Sequence, residues 1–244
     1  MIIMEIRTIL VSLMTLIMIG IVILVLYEYF YGGSVAPAGV TPTKTEILIV
    51  GPLQNGQNYT EVDAAIPLSL NENEGIEYSF AGWIQVNDYA PPTQHPIIFT
   101  KGDVSGTQKS PAVSLNSGRN ELVIEQDTYD KGRPARIVIT NMPANKLIHL
   151  AICVNQKSFD VYVNGLLYSH TSLHALPMQN SQPVFIAGNG GWNGQIGSLT
   201  YYNYELTSAQ VHNLANTAPT QSPNSLPYYP NFLSSGWWVT KHQG

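Results

Sequence analysis

A single cysteine, Cys153, in 244 residues rules out an internal disulfide, and its place between Ile152 and Val154 makes the thiol a small apolar core group. Charge is also scarce. Asp, Glu, Lys and Arg make up 11% of the chain, and the eleven basic residues are scattered along a sequence of net charge −5. Displacing phosphate counterions takes a concentrated basic face, so a nucleic-acid partner is excluded. Metal-ligand spacing is missing too. Of His95, His149, His170, His174, His212 and His242, only His170 and His174 stand close together, with a spacing that binds metal on a helix but spans loop here. No metal site is expected.

What the chain has in quantity is apolar residues, in two different patterns. From Ile9 to Leu26 there is no charged side chain, and Ser12, Thr15 and Gly20 are the only interruptions. At about 1.5 Å per residue this run crosses roughly 30 Å of hydrocarbon, which predicts a transmembrane helix and a lipid bilayer partner through residues 9–26. A cleaved signal peptide fits less well, because its apolar region is usually about 7–15 residues. Tyr27, Tyr29, Phe30 and Tyr31 form an aromatic belt, and Arg7 against Glu28 places the N-terminus inside. The predicted organisation is an anchor over 1–31, a Gly/Pro stalk over 32–45, a β-sandwich over 46–216 and a Pro/aromatic tail over 217–244.

The second pattern is alternation. Ile148, Leu150, Ile152 and Val154 interleave with His149, Ala151 and Cys153, then Phe159, Val161 and Val163 interleave with Asp160 and Tyr162 up to Asn164-Gly165, a dipeptide suited to a type I′ turn. A third strand over Leu166–His170 makes an antiparallel meander. Further strands are predicted at 46–50, 78–86, 96–100, 112–115, 121–125, 136–140, 184–187 and 195–202, with Pro52–Asn58 read as turn. One helix is predicted over Leu206–Leu214. Thr207 is its N-cap, Gln210 completes a capping box, and its place is over a sheet edge or end.

Specific motifs sharpen this. Tyr78-Ser-Phe-Ala-Gly-Trp83, His149-Leu-Ala151 with Val161-Tyr-Val-Asn-Gly165, Ile186-Ala-Gly188 with Trp192-Asn-Gly-Gln-Ile196, and Tyr202-Asn-Tyr-Glu-Leu-Thr-Ser-Ala-Gln-Val211 resemble the successive signature strands of the concanavalin A-like superfamily, laminin G-like branch. The resemblance runs over about residues 46–216. It implies an all-β fold, a two-sheet antiparallel jelly roll, with variable loops at one rim. Calcium, which the same resemblance implies, lacks recognisable acidic ligands, so no cofactor is expected.

That superfamily includes lectins, glycosidases and adhesive modules, so function must come from a site. Glu125 and Asp127 distantly resemble the paired acids of the glucanase branch, whose retaining chemistry needs carboxyls about 5–5.5 Å apart. Asp130, where a Glu is expected, sits in a turn, so the pair reads first as a solvated strand end and the protein as a non-enzyme. Trp192 and Asn193, in a loop of small residues, are the ligand-binding candidates, beside the alternative of a buried loop tryptophan. Tyr228, Tyr229, Trp237 and Trp238 make the tail a partner-binding candidate. Asn58-Tyr-Thr60 is a glycosylation sequon. Anchor plus sandwich resembles the membrane-linked minor capsid components of large DNA viruses, which implies a structural protein between a virion inner membrane and capsid subunits. A lectin-like surface protein is the alternative, with glycan as partner, and a glycoside hydrolase of the glucanase branch comes third.

Overall fold

The structure, a computed structural model, describes residues 13–23, 26, 43–62, 66–71, 75–90, 95–103, 107–116, 118–130 and 132–219. The chain divides into residues 1–42 and 43–244. In the first unit residues 13–23 are helical with exposed side chains. No helix among the described residues is long and apolar enough to cross a membrane; the rest of the predicted span, residues 9–12, 24 and 25, lies outside them.

The second unit is a two-sheet antiparallel sandwich. Its strands are β1 Glu46–Val50, β2 Gln54–Asn55, β3 Thr60–Val62, β4 Tyr78–Val86, β5 Ile97–Gly102, β6 Lys109–Leu115, β7 Leu122–Gln126, β8 Ala135–Ile139, β9 Lys146–Asn155, β10 Ser158–Val163, β11 Leu166–Ser172, β12 Val184–Ile186 and β13 Gly194–Tyr202. One sheet has the order β1-β13-β4-β9-β10-β11 with β2 also on β13; the other runs β3-β12-β5-β6-β7-β8. β1 and β4 have the predicted bounds. β2 and β3 fall in and after a stretch read as turn, because two or three residues are too few to show a period.

Alternation decides which side chains meet. Phe80, Ile84, Ile148, Leu150, Ile152, Val154, Phe159 and Val161 face Phe99, Val113, Leu115, Leu122, Ile124 and Ile137 in one buried core. Registers Phe80↔Ile152 and Ile152↔Val161 put the β9–β10 hairpin at its centre. The β10–β11 turn is left-handed at Asn164 (φ 50°) and Gly165 (φ 80°), as the dipeptide requires.

The intervening residues of β9 build a second, smaller core on the outside of that sheet. Ala151 and Cys153 join Ala81, Tyr162, Tyr202 and Tyr204, with Leu206 and Val211 above them. The helix Ser208–Ala215 therefore covers a sheet face and not the predicted edge or end. Its capping box is formed as expected: Gln210 N–H donates to Thr207 Oγ1 at 3.3 Å, and Thr207 N–H donates to Gln210 Oε1 at 2.9 Å. Ser79 fixes its approach, accepting from Leu206 N–H (2.9 Å) and donating to the Tyr204 carbonyl (3.1 Å). Burial pushes the Cys153 thiol up to about 12, so it is an apolar filler and no nucleophile.

Candidate functional site

At one end of the sandwich the inward rows turn polar. Gln126, fully buried, accepts from the Tyr78 hydroxyl at 2.6 Å and donates to the carbonyls of Asp127 and Met178, each at 2.9 Å. Ser110 donates to the same Met178 carbonyl at 2.7 Å. Met178 N–H returns to the Asp127 carbonyl (2.8 Å), Tyr129 N–H reaches the Leu176 carbonyl (2.9 Å), and Thr128 bridges to Pro177. Two long loops, 127–134 and 173–183, are thus zipped together by side chains that a sandwich core would otherwise leave unpaired. Burial raises the Tyr78 phenol well above its usual value, so it stays a neutral donor.

The zipped loops and the segment just before β6 form a cleft of about 340 Å³ lined by Asp127, Thr128, Asp130, Thr107, Gln108 and Asn180, with Pro134 and Met178 as apolar surface. Its walls are set internally. The Thr128 hydroxyl stands 3.1 Å from the carbonyls of both Asp130 and Arg133 and shares its one proton between them, while Asp103 accepts from Gln108 N–H at 2.8 Å and from the Thr107 hydroxyl. Carboxylates, hydroxyls and amides around a small apolar patch match a ligand rich in hydroxyl groups better than an anion.

Glu125 and Asp127 have the same parity in β7 and its continuation, but each is engaged by the protein itself. Glu125 is 2.5 Å from Lys109 Nζ and 3.7 Å from Arg136 Nε, and Asp127 accepts from Lys109 N–H at 2.8 Å. An acid–base pair across a scissile bond needs free carboxyls facing a common cleft; of the two, only Asp127 lines this one.

Trp192 is a correction. It is 1% exposed, belongs to the main core and donates from Nε1 to the Gln85 carbonyl at 3.0 Å, so no ring face is open for a ligand. The small residues around it make room for the indole. A Cβ on Gly56 would lie 2.5 Å from its ring, and one on Gly194 2.5 Å from Nε1. Asn193 is exposed and accepts from Asn87 Nδ2 at 3.2 Å, away from the cleft. Tyr228, Tyr229, Trp237 and Trp238 lie outside the described residues. No metal-like group of His, Cys, Asp and Glu occurs among the described residues; His170 instead contacts Asp160 at 2.6 Å. The cleft was not legible beforehand, because three loops far apart in sequence supply it.

Comparison with known proteins agrees with this architecture. The family model of the concanavalin A-like lectin/glucanases superfamily matches residues 54–212. No curated protein sequence matches the chain. Solved structures with the same fold include the binding domain of botulinum neurotoxin DC in complex with SialylT (TM-score 0.51, 15% identity, 74% of this chain and 47% of that one). The same domain in complex with rat synaptotagmin II gives 0.51, 14%, 72% and 47%, and the receptor binding domain of botulinum neurotoxin D gives 0.51, 11%, 71% and 48%. The chain spans about half the length of these structures, and at such identities the likeness is one of fold.

Proposed function

Since the chain belongs to the concanavalin A-like lectin/glucanases superfamily, we propose that it is a non-enzymatic binding module whose rim cleft takes carbohydrate. The observation that carries this reading is the cleft itself: hydroxyl, amide and carboxylate groups from three loops around an apolar patch. Engagement of Glu125 by Lys109 and Arg136 argues against hydrolysis. Similar folds solved with SialylT or with synaptotagmin II bound support a glycan or protein ligand for this architecture. A protein partner is favoured by one further observation. Leu166, Leu167 and Tyr168, consecutive on the edge strand β11, are 69%, 53% and 45% exposed. Display from a membrane through residues 9–26 completes the proposal, and attachment of a protein shell to that membrane is its structural variant.

The test is a glycan array probed with the full-length protein in detergent, alongside Asp130→Ala and Gln108→Ala, both at exposed cleft positions. A captured glycan whose affinity falls on the order of tenfold or more in both variants supports the cleft. Binding unmoved by both, or no glycan bound, overturns it and leaves the protein-contact reading. Carbonate extraction tests the anchor: the full chain stays in the membrane pellet, and a protein lacking residues 1–42 does not.

A further inference from the structure

Lys101 lies two residues beyond Phe99 on β5, so its side chain also enters the space between the sheets, at the polar end of the sandwich. The residue is only 5% exposed. Its ammonium is met by the Asn180 carbonyl (2.8 Å), Asn180 Oδ1 (3.2 Å) and the Gln182 carbonyl. Asn180 closes the arrangement, donating from Nδ2 to the Lys101 carbonyl at 3.1 Å and accepting Gln182 N–H on Oδ1 at 3.1 Å. Three neutral oxygens from one loop converge on a group that has three N–H donors. Among the described residues no carboxylate pairs with it.

Hard cations such as calcium are held by this kind of convergence of carbonyl and amide oxygens, usually with carboxylates. The rim fails the fit for calcium on two counts: no cluster of acidic ligands exists among the described residues, and these oxygens already hold a cation of the chain's own. We infer that Lys101 is the resident cation of this rim, its ammonium holding Asn180–Gln182 in place. Burial pulls Lys101 down to about 8, which still leaves it mostly protonated at neutral pH. Gln179 and Asn180 line both the Lys101 pocket and the cleft, so the lysine holds one wall of the cleft in position.

The experiment compares the full-length protein with Lys101→Met, which keeps the stem and removes the charge, and Lys101→Ala, which opens a cavity. Amide exchange of residues 178–182 should become on the order of tenfold faster in both. Ethylammonium should restore protection to Lys101→Ala, and ethanol, similar in size but uncharged, should not. EDTA and calcium should leave the melting temperature of the wild type unchanged. Unchanged exchange in Lys101→Met, equal rescue by ethanol, or a calcium-dependent shift in the wild type each overturn the inference. Should either variant fail to fold, the ammonium resonance of wild-type Lys101 decides: slow solvent exchange supports it, and rapid exchange typical of an exposed lysine overturns it. No readout uses a ligand, so failure here leaves the carbohydrate reading standing, and failure of that reading leaves this one.

Discussion

Gly165 and His212 are pressed together where the β10–β11 turn meets the helix Ser208–Ala215: a Cβ built on Gly165 would stand 3.1 Å from His212 Cα and 3.1 Å from Ala215 Cβ. The same glycine has φ 80°. It therefore answers two demands at once, a left-handed turn residue and a bare surface for the helix to lie on. Gly165→Ala should destabilise the domain by about 1–2 kcal/mol from the backbone alone, with helix displacement adding to it. Urea titration measures the loss, and a near-neutral result would mean that the helix is not seated on this turn.

Trp192 should behave as a core residue. Trp192→Phe removes the bond to the Gln85 carbonyl and part of the packing, at an expected cost of about 1–3 kcal/mol. Gly56→Ala, whose Cβ would lie 2.5 Å from the indole, should cost a similar amount through overpacking. Thermal melts followed by tryptophan fluorescence decide. If Trp192→Phe keeps full stability while a glycan contact is lost, the indole is a binding group after all.

How much of this was legible follows from range. β1 and β4 could be bounded correctly because each is an apolar run ended by local turn residues, Gly51-Pro52 after β1 and Asn87-Asp88 after β4, and the Thr207 capping box is local by nature. The helix's position was not, since whether it meets an edge or a face depends on Ala151, Cys153 and Tyr162 forming a second apolar surface distant in sequence. Trp192 between glycines can be read as displayed or as enclosed until the Gly56 backbone is brought against it. The cleft and the Lys101 cluster were invisible for the same reason. Asn180 and Lys101 are 79 positions apart, and no periodicity links a strand lysine to a loop amide.

Glu125 should prove structural in a small way. Its side chain is 21% exposed and that of Lys109 26%, so the pair is screened and its loss should cost no more than about 1 kcal/mol. Glu125→Gln is therefore expected to melt nearly as the wild type does. Neither protein should release reducing sugar from β-linked glucans above a buffer blank. Turnover in the wild type that disappears in the variant would restore the glycosidase reading.

His149 should make the fold sensitive to acid. The ring is 2% exposed, stands edge-on to Trp83 with centroids 5.3 Å apart, and has no hydrogen-bond partner at Nδ1. Burial pulls its imidazole from the ordinary 6.5 down to about 4. Between those two values the unfolded chain takes up a proton that the folded one refuses. Stability attributable to this residue is thus complete above pH 6.5, declines as the pH falls toward 4, and changes no further below it. The total is on the order of 3 kcal/mol. The quantity to read is the difference between wild type and His149→Phe in urea titrations from pH 7.5 to pH 4, in which contributions common to both proteins cancel. The variant should lose the slope that begins near 6.5. Parallel curves for the two proteins would mean that His149 reaches solvent, or finds a partner for Nδ1, in the folded state.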